Sequence, residues 1–213
     1  MNNQFTDLGP TLTGLLHKLK MIQAISTNIS HTNSIGYQRE IPESISFQSV
    51  LSETATKDPS RGQFKKTNNT LDLAIEGNAY FLVESKDGPV PTRNGRFHLN
   101  EKGELATMDG QEVIVVEKTD KPISLAKEYN NITINKNGEI YIGSERYGRL
   151  AMEILDNKPI RIHQGVIEGS NVNIINEMIS MQMAFRAFES SEKVLGMEAS
   201  LDRDIVERYG RNI

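Results

Sequence analysis

Four histidines are the first residues in this sequence that could do chemistry, and their spacing argues against a shared site. They are His17, His31, His98 and His163. No pair has the His-Glu-x-x-His spacing that places two zinc ligands on one face of a helix. His17 and His31 are two heptads apart, which is too far along one helix to share a metal ion. Cysteine is absent, so disulfides, thiol catalysis and cysteine metal sites are excluded. We interpret the histidines as isolated surface residues.

The other ionisable residues form no recognisable catalytic set. Asp72 and Glu76 are close in sequence on a predicted strand, without an acid or base partner, and we expect both on a solvated face. Arg93 and Arg96 flank a predicted hairpin turn, where we expect them to face solvent or a neighbouring subunit. The sequence has no Gly-x-Ser-x-Gly turn and no phosphate loop with its lysine. The sequence therefore predicts no catalytic, cofactor-binding or metal site. We expect a protein that is not an enzyme and uses no cofactor.

Composition narrows the class of protein further. The 213 residues can form one large domain or two modest ones, with 37% apolar and 24% charged residues. A net charge of −4 argues against nucleic acid as the main partner, because the sequence has no stripe of basic residues that could bind phosphates. No apolar run approaches the roughly 18 residues of a membrane span. The N-terminus lacks the basic segment and apolar core of a cleavable signal peptide.

A long C-terminal helix, from residue 171 to about 208, is the element around which the chain is organised. Asn171 or Asn173 can accept the free amide protons of its first turn, and Glu177 places negative charge near the positive end of the dipole. About 38 residues at ~1.5 Å each give a rod of about 57 Å. Its apolar residues recur at spacings of four and three: Ile174, Met178, Met181, Phe185 and Phe188. A helix of this length with one apolar stripe needs a partner.

The apolar pattern indicates that this partner is an N-terminal helix from residue 5 to about 33. Its stripe follows a heptad-like spacing through Leu8, Leu12, Leu15, Leu19, Ile22 and Ile29. One interpretation is a single helix packed on a core. The other is a coiled-coil strand that pairs with the C-terminal helix, so that the two stripes form an assembly interface. The Met178, Met181 and Met183 cluster fits helix core or subunit interface better than a promiscuous groove.

Between the helices the apolar period changes from 3.6 to 2. The range 41–51 is ambiguous because Pro42 argues against a helix, and 54–69 has the polar composition of a linker. Beyond it, Asp-Gly and Asn-Gly turns separate short alternating runs, which indicates antiparallel hairpins. We predict an α+β fold in which long N- and C-terminal helices pair as a coiled coil and flank an inserted antiparallel β domain. The predicted divisions are 1–35 with 171–213 (helical), 36–63 (linker) and 64–167 (β).

Several segments resemble the bacterial flagellar rod and hook protein family. Residues 26–39 contain an Asn-bearing helix end followed by Gly36, Tyr37 and a basic residue, which is similar to the N-terminal signature of that family. Further similar segments are 71–83, 92–100 with its following turn to Gly110, 168–172 and 185–189. They follow the family's order and cover nearly the whole chain. The single small β domain resembles a proximal-rod protein more than a hook protein.

The resemblance implies a structural subunit that polymerises through its terminal helices into the hollow drive shaft of the flagellum. It also implies that the partners are further copies, other rod and hook-basal-body proteins and the type III flagellar export apparatus. The implied location is the periplasm-spanning rod of the basal body, reached without a cleaved signal peptide. Two alternatives stay open: a secreted β-rich binding module dimerised by its helices, and another axial member of the family from the distal rod or hook.

Overall fold

The computed structural model describes residues 8–41, 56–119 and 131–210, and the chain forms two compact units. The helical unit comprises Met1–Thr32, Arg39–Pro59 and Val172–Ile213. The β unit comprises Asn33–Gln38 and Ser60–Asn171. Side chains are described within these ranges except at 8–12, 198, 202 and 204–210. The start of the predicted N-terminal helix at residue 5 and nearly all of the ambiguous range 41–51 lie outside the described residues.

The described residues of the helical unit form two helices and a short two-stranded ribbon. Helix α1 is Leu8–Ser30 and helix α2 is Ile174–Gly210. Strand β1 (Glu40–Ile41) pairs antiparallel with β2 (Thr56–Lys57). Helix α1 ends three residues before the predicted end, where the Thr32 hydroxyl donates to the Ile29 carbonyl at 2.8 Å. A side chain that satisfies a terminal carbonyl in this way competes with continuation of the helix.

The β unit is a set of short antiparallel strands. They are β3 (Phe64–Lys66), β4 (Leu73–Glu76), β5 (Ala79–Ser85), β6 (Gly88–Thr92), β7 (Phe97–Leu99), β8 (Leu105–Thr107), β9 (Val115–Val116), β10 (Ile132–Ile134), β11 (Glu139–Ile142), β12 (Glu145–Leu150), β13 (Met152–Ile154), β14 (Arg161–Gln164) and β15 (Val166–Glu168). One sheet has the order β10-β11-β12-β9 and another has β13-β5-β6, while β14-β4, β15-β3 and β7-β8 form two-stranded sheets. Each pairing between these described strands is antiparallel.

One apolar cluster holds the short strands together. Phe81 of β5 and Phe97 of β7 pack edge to face, with ring centroids 5.2 Å apart. Around them lie buried side chains from at least seven strands, including Leu73, Ile132 and Leu150. Because most of these strands are only three or four residues long, their stability depends on sharing this core. The core is the reason that the β unit folds as one body.

The predicted fold class is confirmed at the level of an α+β protein with helices near both ends and an antiparallel β part between them. The turn chemistry behaves as predicted. Asn137-Gly138 joins β10 to β11, and Gly138 takes a φ of +85° that favours glycine. The continuous apolar run 80–83, which the sequence predicts as a buried strand, lies within β5, where Phe81 and Val83 are buried.

The range 54–69, which has the composition of a linker, contains two strands instead. Strand β2 occupies Thr56–Lys57 and β3 occupies Phe64–Lys66, and β3 pairs with β15. All three side chains of β3 are exposed. Main-chain hydrogen bonds therefore fix this strand, and a composition made of solvated side chains gives no sign of them.

Candidate assembly surface and its supporting contacts

Helices α1 and α2 pack against each other within the helical unit and run antiparallel. Near one end the Asn28 Nδ2 donates to Glu177 Oε2 at 3.4 Å. Near the other, the Lys18 ammonium donates to the Ser191 hydroxyl. The contact on α2 moves back from 191 to 177 as α1 advances from 18 to 28, which defines the antiparallel direction.

The side of α2 that is turned away from solvent follows a heptad, but its residues are mixed in polarity. Glu177 and Ala184 are buried. Half-buried residues continue the same row at spacings of four and three: Met181, Phe188, Ser191 and Leu195. On α1 the buried residues are Ile25 and Asn28. We call this set the seam. It holds an amide, a carboxylate and a hydroxyl beside a few apolar side chains.

The predicted apolar stripes only partly coincide with the seam. On α2, Met181 and Phe188 lie in it, whereas Ile174, Met178 and Phe185 are exposed. On α1, Leu15, Ile22 and Ile29 are half-buried and Leu19 is exposed. The side chains of Leu8 and Leu12 lie outside the described set. The exposed apolar surface extends further, since Ile175 is 66% exposed. Among the described residues, much of the apolar surface of the two helices is therefore exposed.

A buried polar cluster joins the end of α1 to the start of α2. Asn28 is 0% exposed and Glu177 is 2% exposed. The Asn28 side chain accepts from the Glu40 amide at 2.8 Å and donates to the Glu40 carbonyl at 2.9 Å. Arg39 Nε donates to Glu177 Oε1 at 2.5 Å. We call Asn28, Arg39 and Glu177 the polar node. It secures β1 and the first turn of α2 to the end of α1.

The N-terminus of α2 is capped as the sequence allows. The Asn173 side-chain oxygen accepts from the amides of Ile175 and Asn176 at 3.1 and 3.2 Å. Asn173 is thus the cap, and of the two predicted candidates Asn171 is not. Asn171 instead belongs to the β unit, where its side chain donates to the Ser60 carbonyl at 2.8 Å. The Asn173 cap and the negative charge of Glu177 both stabilise the N-terminus of α2, which is the positive end of the helix dipole.

Arg93 is buried inside the β unit, which corrects the expectation that it faces solvent or another subunit. It is 4% exposed, and its guanidinium donates to Glu168 Oε2 at 3.0 Å, the Ile75 carbonyl at 3.1 Å and the Gly77 carbonyl at 2.9 Å. It also lies over the Tyr80 ring, 5.1 Å from the centroid. A buried arginine needs such partners. Arg96, three residues later, is exposed as expected.

Glu168 is the partner that makes Arg93 a structural centre. Burial raises the pKa of the Glu168 carboxyl, and the positive charge of Arg93 opposes that shift. The Gly62 amide donates to its Oε1 at 3.2 Å, and its main-chain carbonyl accepts from the Gly36 amide at 2.8 Å. Glu168 therefore holds segments 33–38 and 60–63 together in the β unit.

Glycines permit these segments to approach closely. Gly36 has a φ of +65°, and a Cβ there would lie 2.4 Å from the Arg93 carbonyl carbon. A Cβ on Gly62 would lie 1.8 Å from the Gly169 carbonyl oxygen. Both positions therefore require glycine. Gly36, Arg93 and Glu168 lie in segments that carry the family resemblance, whereas Gly62 does not. Membership of these segments is the only sequence signal that marks Arg93 and Glu168, and it does not indicate that they pair.

The remaining ionisable residues make ordinary structural contacts. Asp72 is buried, not solvated as expected, and its Oδ1 accepts from the Asn69 side chain at 3.1 Å. Glu76 is exposed, and its hydrogen bond to His163 holds the pKa of the carboxyl below its usual range. Within the described ranges, no three His, Asp or Glu side chains cluster closely enough to hold a metal ion. In the same part of the chain, no helix has the length and hydropathy of a membrane span.

Two family models match the sequence. Residues 74–142 match the flagellar hook protein FlgE/F/G D1 domain, and residues 163–207 match the flagellar basal body rod FlgEFG protein C-terminal region. The first match lies within the β unit, and the second runs from the last two residues of β14 through β15 and most of α2. The two matches together cover more than half of the chain.

Relatives extend the similarity over nearly the full length. The flagellar basal-body rod protein FlgF of Mesorhizobium japonicum is 27% identical over 228 residues, spanning 90% of this chain and 92% of the relative. FlgF of Rhizobium meliloti is 28% identical, spanning 94% and 96%. The rod protein FlgG of Buchnera aphidicola subsp. Baizongia pistaciae is 28% identical, spanning 86% and 92%. By these matches the chain belongs to the family of flagellar basal-body rod and hook proteins.

Proposed function

We propose that this protein is a structural subunit of the bacterial flagellar basal-body rod, closest to the proximal-rod type. It polymerises through its terminal helices into the hollow drive shaft. Relatives that carry the name of rod protein align with it from one unit to the other, which supports a role for the whole chain and not for one domain. The family is structural and not an enzyme class, and we propose no catalysis and no cofactor.

The single observation that carries polymerisation is the exposed apolar surface of α2. Ile174, Met178 and Phe185 lie on one side of the helix beside the seam, and Phe185 is 49% exposed. Clustered exposed apolar side chains of this size mark an interaction surface. Heterologous contacts that do not close produce a filament when the partner is a copy of the same chain. The helices therefore have both an internal contact and unused apolar surface for further contacts.

The finer organisation follows from the same helices. We propose that 1–35 and 171–213 act as one helical domain, that 36–63 connects it to the β domain of 64–167, and that the helices pair as a coiled coil. The antiparallel contact of α1 with α2 and the heptad spacing of the seam support this arrangement. The interface would include the predicted stripe residues on both helices, from Leu8 to Ile29 and from Ile174 to Phe188.

The proposed partners are further copies of this chain, other rod and hook-basal-body proteins, and the flagellar export apparatus. The proposed location is the periplasm-spanning part of the basal body, reached through type III export without a cleaved signal peptide. The rod-protein names of the relatives support the location. Export rests on the family resemblance.

The test is Phe185→Asp in cells that lack the native protein. Burial of a Phe side chain contributes about 1.5–3 kcal/mol, and about half of that is still available at a half-exposed ring. An unpaired carboxylate in the same contact costs several kcal/mol more. Gln182→Asp, at an exposed polar position one turn earlier, introduces the same charge as a matched control. We expect loss of swimming with Phe185→Asp, normal swimming with the control, and unchanged melting of the β unit in both.

Normal swimming of Phe185→Asp would remove the helix surface from the assembly contacts. A second measurement separates polymerisation from simple dimerisation by the helices. Sedimentation of the purified chain over a wide concentration range should show species that grow with concentration. A discrete dimer with a constant molecular weight would instead favour a dimeric binding module.

A further inference from the structure

The seam between α1 and α2 contains too few apolar side chains to define one register by itself. Three of its large side chains are almost fully buried. One of them, Ile25, is apolar, and the other two, Asn28 and Glu177, are polar. If α2 shifted by four residues, exposed Phe185 would take the place of half-buried Met181, and half-buried Phe188 would take the place of buried Ala184. A shift of α2 by one turn would therefore exchange one apolar set for a similar one. Dispersion and apolar burial alone discriminate weakly between the two registers.

The polar node does discriminate. The Asn28 amide is fixed at both ends by the Glu40 main chain, with its oxygen at 2.8 Å from the amide nitrogen and its Nδ2 at 2.9 Å from the carbonyl oxygen. In this orientation Nδ2 points one further proton at Glu177, and Arg39 occupies the second oxygen of the same carboxylate. A shift that moved residue 195 into the place of 191 would put Met181 in the place of Glu177, and a methionine side chain has no carboxylate to accept these hydrogen bonds.

We infer that Glu177 is the residue that sets the register of α1 against α2, acting through Asn28 and Arg39. A buried polar residue that fixes register at some cost in stability is well attested in helix pairs. The register decides which apolar side chains of α2 stay exposed, so the inference rests on the proposed function where it concerns assembly. Glu177 is a positioning residue: it is buried in the seam and acts through Asn28 and Arg39.

Register can be measured directly, because the chain has no native cysteine to compete with introduced pairs. Lys18→Cys with Ser191→Cys reports the observed register when a short bifunctional maleimide bridges the two thiols, because the reagent restores the reach of the lysine side chain whose ammonium contacts the Ser191 hydroxyl. Lys18→Cys with Leu195→Cys reports a shift by one turn. Both pairs remove the Lys18 contact with Ser191, so that contact does not bias the comparison. The rate at which each pair forms the bridge is measured in the purified full-length chain.

In the parent chain we expect the 191 pair to form about tenfold more readily than the 195 pair, because a charge-assisted hydrogen bond corresponds to at least that ratio. In the Glu177→Leu background, Asn28 keeps both bonds to Glu40 and the half-exposed Arg39 can turn to water. The ratio should then approach one. Glu189→Leu, the same substitution at an exposed position of α2, should leave the tenfold ratio unchanged.

The helix content of Glu177→Leu, measured by circular dichroism, should stay at the parent level, so that a change in ratio reflects register and not unfolding. A tenfold preference that persists in Glu177→Leu would overturn the inference, as would an equal loss in Glu189→Leu. This readout does not depend on assembly. If Phe185→Asp cells swim normally, the proposed function fails while the register result still decides the role of Glu177.

Discussion

Replacing Arg93 by methionine tests the buried ion pair of the β unit. The substitution retains a long apolar stem but removes the guanidinium that bonds Glu168 and the carbonyls of Ile75 and Gly77. The Glu168 side chain is then buried, at 3% exposure, without its cationic partner, and its carboxylate keeps the hydrogen bond from the Gly62 amide. Removing one partner of a buried pair typically costs 3–5 kcal/mol. For a domain of about 100 residues, each kcal/mol lowers the melting temperature by roughly 4–8 °C.

We therefore expect the β unit of Arg93→Met to melt at least about 12 °C below the parent at neutral pH. The assay is thermal unfolding of the full-length chain, followed by circular dichroism in the strand region. Arg96→Met is the matched control: the same substitution, three residues later, at an exposed position. It should change the free energy of unfolding by no more than about 0.5 kcal/mol.

The effect should also depend on pH, with a definite sign. Burial already raises the pKa of the Glu168 carboxyl above its ordinary range, and loss of Arg93 raises this pKa further because the opposing positive charge is gone. A carboxyl with a raised pKa in the folded state stabilises the fold fully only below its unfolded pKa, and that stabilisation is lost as pH rises through the folded pKa. The difference in melting temperature between Arg93→Met and the parent should therefore shrink as pH falls from 7 towards 4.

Two results would refute this reasoning. One is a melting temperature of Arg93→Met within about 3 °C of the parent at pH 7, which would mean that the pair contributes little. The other is a difference in melting temperature that grows on acidification, which would mean that the lost stability does not come from an unpaired Glu168 carboxylate. The double variant Arg93→Met/Glu168→Gln supplies an internal check: it removes both charges, so it should recover part of the lost stability at neutral pH.

Three further predictions follow from the helices and turns. Gly95→Ala should destabilise the β unit by about 1–3 kcal/mol in urea unfolding, because its Cβ would lie 1.8 Å from the Leu73 carbonyl oxygen, whereas Gly110→Ala has open space and should cost about 1 kcal/mol. In hydrogen exchange of the monomer, amides of 8–30 and 175–210 should exchange faster than those of β4 and β5, since a polar seam supports helices weakly; equal protection would contradict this. Deleting residues 2–30 should keep the protein inside the cell with the β unit folded, and normal secretion of that truncation would disprove an N-terminal export address.

The β unit was predictable to the extent that local chemistry defines it. Alternating apolar residues and Asn-Gly or Asp-Gly turns act over a few residues, so hairpins such as β10-β11 follow directly from the sequence. Strand β3 was not predictable in the same way. Its exposed Phe64, Lys65 and Lys66 carry no burial pattern, and its position depends on a partner strand a hundred residues later. Pairing at that distance is a property of the closed fold.

The buried charges illustrate the same limit from the opposite side. Arg93 and Glu168 are 75 residues apart, and each looks like a solvated residue when taken alone. Charged side chains are rarely buried without a partner, so the default expectation for a single arginine beside a turn is exposure. Only the pairing of β15 with β3 and the return of segment 33–38 bring the two together. Motif membership was the one available signal, and it marked both residues.

The helices show why an apolar stripe does not by itself identify the internal contact. A period of 3.5 predicts a buried face on the assumption that the most apolar side chains are used first. Here the innermost positions are Ile25, Asn28, Glu177 and Ala184, of which Ile25 alone is large and apolar, while Met178 and Phe185 are exposed. A monomer that buried its whole stripe would have no apolar surface left for neighbours. In the proposed rod subunit, a seam held in part by polar groups would give the helix pair one register and leave apolar side chains for contacts with other subunits, which is the division of roles that a filament subunit needs.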